Sequence, residues 1–138
     1  MMFLKALFLC ISKHIKQKDK AGKCYIFHPL KVMSRVKGYK CKIVALLHDI
    51  VEDTDCTRED LKKYGLTNEI ITAIDCLTKN KNLEYQEYID KIKNCEIARK
   101  VKIEDLKHNM DLKRLKIVED KDRKRVEKYK MALEMLMY

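Results

Sequence analysis

Tryptophan is absent from this 138-residue chain, proline occurs once and glycine three times. With so few breakers, and with Lys, Glu and Leu plentiful, the composition points to an all-helical protein. β-branched residues never alternate with polar ones for long, so no strand is signalled. No apolar run approaches the roughly 20 residues of a membrane span. The cysteines are Cys10, Cys24, Cys41, Cys56, Cys76 and Cys95. Their wide spacing excludes a CxxC pair and zinc-finger geometry. Several sit in apolar helical patterns, where a free thiol packs as a small hydrophobe. Reduced thiols and a cytoplasmic setting are therefore expected. The apolar start, Met1 to Ile11, is interrupted by Lys5 and has no small-residue cleavage site after it. An amphipathic first helix is expected there rather than a signal peptide.

Arginine is scarce as well, with 6 among the 31 basic residues that face 21 acidic ones. Lysine is a solvated point charge, whereas arginine is the residue for bidentate recognition of phosphates and bases. The net charge of +10 therefore reads first as a lysine-covered, solvated surface. It can also draw in a small polyanion such as a nucleotide. Nucleic acid is not expected as the main partner.

The length suits one domain, residues 1–138, around one core. The patterns predict an all-α bundle of about seven to eight helices. The first covers 2–16, and a basic loop with Gly22 covers 17–27. His28-Pro29 opens the second, which stops near Gly38. The third runs from about Lys40 to Glu52. Thr57 with Asp60 starts a short helix that ends before Gly65. Thr67 caps the next, whose buried stripe is Ile70, Ile71, Ala73, Ile74 and Leu77. Tyr85, Tyr88, Ile89 and Ile92 mark another. Residues 96–117 form one long helix, and the last starts near Lys121 with Val126, Tyr129, Ala132, Leu133, Leu136 and Met137 on its apolar side.

The stretch from Ile43 to Thr54 carries the chemistry. Five apolar residues lead into His48-Asp49-Ile50-Val51-Glu52-Asp53. A helix apolar nearly all round belongs in an interior, and burying unpaired ionisable groups at its end costs several kcal/mol. On a continuous helix His48 and Glu52 share one face, and Asp49 and Asp53 the adjacent one. A metal on His48 and Asp49 would remove that cost and leave Glu52 and Asp53 free to handle a proton. The plain alternative is a core histidine bonded to a carbonyl, with solvated acids beyond it.

His28 opens the second helix, and Asp105 lies midway along the 96–117 pattern, one turn from Asn109 and flanked by apolar residues. With His48 and Asp49 they offer two imidazoles and two carboxylates from three helices. Such a mixed set suits a first-row divalent ion such as Mn, Fe or Zn. A satisfied buried polar network without metal is the competing reading.

Three segments occur in order: His28-Pro29-Leu30-Lys31-Val32, then Ala45-Leu46-Leu47-His48-Asp49-Ile50-Val51-Glu52-Asp53-Thr54-Asp55, then Val101 to Met110 with Asp105-Leu106-Lys107-His108-Asn109. Together they resemble the HD superfamily, and within it the hydrolase domain of the RelA/SpoT alarmone enzymes and the small stand-alone alarmone hydrolases. His14, Gln17, Lys20, Gly22 and Tyr25 fit the same family's first loop, and Tyr85 and Tyr88 its aromatic positions before the long helix. The similarity covers most of residues 5–118.

The resemblance implies an all-helical fold and one Mn2+ held by His28, His48, Asp49 and Asp105. It implies Glu52 and Asp53 in activating or ordering water, and Asn109 near the bound nucleotide; Lys20 and Lys102 are read beside it as phosphate contacts, with a solvated surface as the competing reading. The implied reaction is hydrolysis of the 3′-pyrophosphate of guanosine tetra- or pentaphosphate, without a synthetase domain. Asp19 stands where the family has an arginine that stacks on guanine, and a carboxylate supplies no such cation–π contact. An HD phosphohydrolase for another nucleotide or phosphoester is the alternative. A catalytically silent basic module for RNA or a protein is the second. His14 and His108 are read as structural or as orienting other ligands, and oligomerisation is left open.

Overall fold

In the computed structural model, which describes residues 1–138, nine α-helices follow one another. They are α1 (Met2–His14), α2 (Phe27–Arg35), α3 (Tyr39–Leu47), α4 (Ile50–Asp53), α5 (Arg58–Lys63), α6 (Asn68–Leu77), α7 (Tyr85–Lys93), α8 (Glu96–Asn109) and α9 (Asp120–Met137). A 3-10 turn at Leu112–Arg114 lies between the last two. Since α4 is a single turn of 4 residues, eight longer helices remain, matching the expected all-α class. No helix is long and apolar enough to cross a membrane.

Local chemistry sets several boundaries as the sequence predicts. Thr57 accepts from the Asp60 N–H at 3.2 Å, and the Asp60 carboxylate accepts from the Thr57 N–H at 2.9 Å, which starts α5 on a reciprocal box. Thr67 Oγ1 accepts from the Ile70 N–H at the start of α6. All six cysteines are free.

Helix α3 is the centre of the bundle. Ile43, Val44, Ala45, Leu46 and Leu47 are all fully buried, and the helix packs on α1, α2, α6 and α8. They belong to a cluster of 29 buried residues, to which α1, α2, α6, α7, α8 and α9 also contribute.

Four expectations need correction. The third helix does not run unbroken to Glu52. It ends at Leu47, Asp49 leaves helical geometry (φ −107°, ψ 3°), and the chain re-enters as α4. The physical reason is local: the Ala45 carbonyl accepts the His48 imidazole at 2.6 Å, a side chain competing with the backbone ladder. Gly38 does not end α2, which stops at Arg35. Lys42 Nζ donates to the Met33 and Val36 carbonyls at that end, at 3.1 and 2.9 Å. Gly38 instead precedes α3 at φ 98°, a conformation that glycine adopts without strain.

Helix α8 stops at Asn109 instead of running to 117. Asp111 accepts from the Lys113 N–H at 3.0 Å, and Arg114 Nη1 donates to the His108 carbonyl at 3.0 Å. These bonds satisfy the helix end and turn the chain. Met137 is 49% exposed rather than on the buried side of α9.

Candidate metal centre and substrate cavity

Three segments deliver four donors to one point. The first turn of α2 presents His28, the α3–α4 break presents His48 and Asp49, and α8 presents Asp105. One ligand atom from each lies within 4.8 Å of every other. His28 Nε2 is 2.8 Å from Asp105 Oδ1, and His48 Nε2 is 3.1 Å from Asp49 Oδ2 and 3.3 Å from Asp105 Oδ1. His28, His48 and Asp105 are buried and Asp49 is half-buried.

The structure itself tests whether a metal fits. His48 Nδ1 donates to the Ala45 carbonyl, so Nε2 is the nitrogen free to ligate. That Nε2 is buried with no hydrogen-bond partner, although Asp49 Oδ2 and Asp105 Oδ1 lie 3.1 and 3.3 Å away. An orphaned buried nitrogen among three further donors is costly without a cation. Two imidazoles and two carboxylates suit a first-row divalent ion. The cluster can hold such an ion.

Charge within the cluster agrees. Burial opposes charge on His48, but the Asp49 and Asp105 carboxylates outweigh it and raise its pKa well above the usual range. Burial likewise works against ionised Asp105, but Lys102, followed by His48, holds its carboxyl well below the usual range. For Asp49, burial pushes up and His48 pulls down, leaving it at about 2. The carboxylates thus stay ionised, and the cation that offsets them is a proton or a metal.

Around these four, a further set of side chains fixes their orientation. Asp105 Oδ1 accepts from Asn109 Nδ2 and Asp105 Oδ2 from Lys102 Nζ, both at 2.9 Å. Tyr25 Oη donates to Asp49 Oδ2. Burial, then the Asp49 charge, raises the Tyr25 phenol far above its usual pKa, so it remains a donor. His28 Nδ1 lies 2.7 Å from His108 Nδ1, and the two rings stack at 5.0 Å. Burial and the Arg114, His28 and Arg35 charges lower His108 to about 4, keeping it neutral. His14 contacts the Tyr25 ring at 4.9 Å and Gln17 Oε1 at 2.7 Å.

A cavity of about 650 Å³ opens on the cluster, within the size range of ligand sites. His28, Asp49 and Asp105 line it, as do Glu52, Asp53, Lys20, Lys102 and Asn109. The structure therefore brings all the sequence-predicted site residues except His48 to one cavity wall, with His48 in the cluster behind it. Glu52 Oε1 accepts from the Lys79 N–H at 2.7 Å, which fixes the carboxylate. Partial withdrawal from water, then the Asp49 and Glu52 charges, push Asp53 up to about 6. Lys20 is lowered by burial and by the facing Arg125 charge. Lys102 and Asn109 line the cavity and also bond Asp105.

Asp19 does not stand as a bare carboxylate. It accepts from the Ala21 and Lys23 N–H groups at 2.9 Å each and pairs with Arg114. Burial pushes its pKa up, but these donors outweigh that and lower it. Sequence reasoning missed Arg114, Arg125 and Tyr129 on the cavity wall. A signal was present: arginine is scarce in this lysine-rich chain, and two of its six fall here.

No family model matches the chain. It is 37% identical over 79 residues to the guanosine-3′,5′-bis(diphosphate) 3′-pyrophosphohydrolase of Aquifex aeolicus, covering 54% of this chain and 11% of that protein. The protein of the same name from Borreliella burgdorferi is 35% identical over 79 residues, covering 54% and 12%. The GTP pyrophosphokinase rsh of Brucella melitensis is 35% identical over 85 residues, covering 58% and 11%. The chain thus spans about a tenth of the length of these curated relatives. Among solved structures, one of a metazoan orthologue of SpoT, described as hydrolysing ppGpp and playing a role in starvation responses, superposes with a TM-score of 0.75. Its identity is 25%, over 98% of this chain and 83% of that one. In fold and in these likenesses, the chain is similar to RelA/SpoT-type hydrolase domains.

Proposed function

We propose that the chain hydrolyses the 3′-pyrophosphate of guanosine tetra- or pentaphosphate, releasing pyrophosphate and leaving GDP or GTP, with Mn2+ as its metal. The observation that carries the reading is the meeting of four ligand atoms within 4.8 Å beside a nucleotide-sized cavity. The names of the relatives from Aquifex and Borreliella support the substrate.

His28, His48, Asp49 and Asp105 would hold the ion, which when bound polarises a phosphoryl oxygen and acidifies water. The chain's own groups supply the rest. A water oxygen bonds to the phosphorus attached at O3′, and the P–O3′ bond breaks. Glu52, steadied by the Lys79 N–H, takes the water's proton, and the ribose O3′ leaves taking a proton from solvent in the open cavity. Asp53 orders the water from the same short helix. Lys102 and Asn109 act first on Asp105, fixing its orientation, and present their remaining polar surface to the substrate. Lys20, with Arg125 opposite, neutralises phosphate charge.

The Asp19–Arg114 pair favours a second reading, in which the same chemistry acts on a different nucleotide. The first-loop position that carries a stacking cation in the resembling family holds an internally paired carboxylate here.

Purified chain supplied with Mn2+ and a panel of nucleotides tests both. Pyrophosphate release from guanosine tetraphosphate, abolished in Asp49→Ala, supports the proposal. Turnover of another nucleotide alone overturns the substrate and keeps the hydrolase. No turnover of any member of the panel overturns the enzyme reading.

A further inference from the structure

A second cavity, of about 480 Å³, shares Asp19, Asp111 and Arg114 with the first and continues onto α2. Its volume also lies in the range of small-ligand sites. Helix α2 gives it Phe27, Lys31 and Arg35, spaced four apart, so one helix face carries an aromatic ring and then two cations. Phe27 is 63% exposed and contributes little to the core. Lys23 adds a third positive charge, and Arg114 lines the wall paired with Asp19.

The two carboxylates on this wall are already engaged. Asp19 is held by Arg114 and two N–H groups, and Asp111 by the Lys113 N–H. None of the protein's ion pairs involves Lys23, Lys31 or Arg35. Three unpaired cations against the one unpaired carboxylate, Asp111, leave the surface net positive, and a concave surface of one net sign concentrates ions of the other.

We propose that this cavity is a second anion site, distinct from the metal-centred one, and that it takes a nucleotide. The phosphates sit on Lys23, Lys31 and Arg35, and the base lies against Phe27. A bare phosphate has no use for the ring, whereas a base stacks on it. The helix face from Phe27 to Arg35 is about 12 Å long, from the rise of an α-helix. That is short for the groove of a single-stranded nucleic acid, which tracks about four nucleotides or more. The proposal is independent of which substrate the metal-centred cavity turns over.

Calorimetric titration of the full chain with ATP and, separately, with inorganic pyrophosphate tests it, using wild type, the Lys31→Glu/Arg35→Glu double variant and Phe27→Ala. All three positions are exposed, so the variants are expected to melt with the wild type. Reversing two charges should weaken both probes at this site by about ten-fold or more. Phe27→Ala should weaken ATP several-fold and leave pyrophosphate unchanged. Wild-type binding in the double variant overturns the site. Unchanged ATP binding in Phe27→Ala overturns the nucleotide assignment and leaves a phosphate site. An RNA oligonucleotide that binds this face while ATP does not also overturns it.

Discussion

Arg114 Nη2 lies 3.1 Å from Asp19 Oδ2, joining the turn after α8 to the first loop across 95 positions of sequence. The same guanidinium closes the end of α8 through the His108 carbonyl. Removing it would leave a largely buried carboxylate without its cation and a helix end without its donor. Arg114→Ala should therefore cost about 1–3 kcal/mol. Asp19→Asn keeps an acceptor for the Ala21 and Lys23 N–H groups and should cost less. Chemical denaturation of both variants checks the order; an Arg114→Ala protein as stable as wild type would show that the pair holds nothing.

The raised pKa of Asp53, about 6, gives hydrolysis an acid limb. Below that value the carboxyl is protonated and cannot orient water by accepting, so the rate should fall as the pH falls. A dication bound nearby opposes that rise and lowers the pKa, placing the limb at or below pH 6. In Asp53→Asn the limb assigned to this group should vanish and the plateau drop. A pH–rate profile of kcat for both proteins is the measurement, and an identical limb in the variant would remove Asp53 from the role.

Tyr25 acts on the centre without being a ligand. Its hydroxyl donates to Asp49 Oδ2, and losing such an orienting partner typically weakens metal affinity about 10–100-fold. Tyr25→Phe keeps the ring and its contact with His14. It should fold as wild type while binding metal more weakly by about that factor. Equal metal affinity in a competition titration against a chelating dye would refute this.

Helix α3 is the support on which His48 and Asp49 rest. Leu47 is fully buried immediately before them. Leu47→Ala should cost about 2–5 kcal/mol, the usual range for such a truncation. It should also lower metal affinity, because the cavity it leaves lies beside the break. Urea denaturation of the metal-free protein gives the first quantity. A loss under about 1 kcal/mol would mean that the site collapses around the deletion.

Much of this architecture is legible in the residues because the signals are local. Thr57 with Asp60 and Thr67 with Ile70 announce their helices through capping bonds that span three positions. The stripe from Ile70 to Leu77 announces its buried face through periodicity. The histidine and aspartate motifs also sit in order along the chain, so the four donors can be named without coordinates. What escapes is non-local or depends on competition within the backbone. The break at His48–Asp49 arises because an imidazole takes the Ala45 carbonyl, which no hydrophobic pattern encodes. The end of α8 at Asn109 depends on Arg114 folding back, and the state of Asp19 depends on that same residue. Reading 96–117 as one helix hid both. Lys102 and Asn109 illustrate a further limit: their motif positions do not reveal the hydrogen bonds that each makes to Asp105.

The convergence of His28, His48, Asp49 and Asp105 on one cation is best tested by metal stoichiometry. The chain is stripped with chelator, loaded with Mn2+, freed of excess ion and assayed for bound metal, beside Asp105→Ala and His48→Ala. The account predicts one tightly held ion per wild-type chain and close to none in either variant at the same free metal concentration. A wild type that retains no ion, or variants that retain as much as wild type, would contradict it.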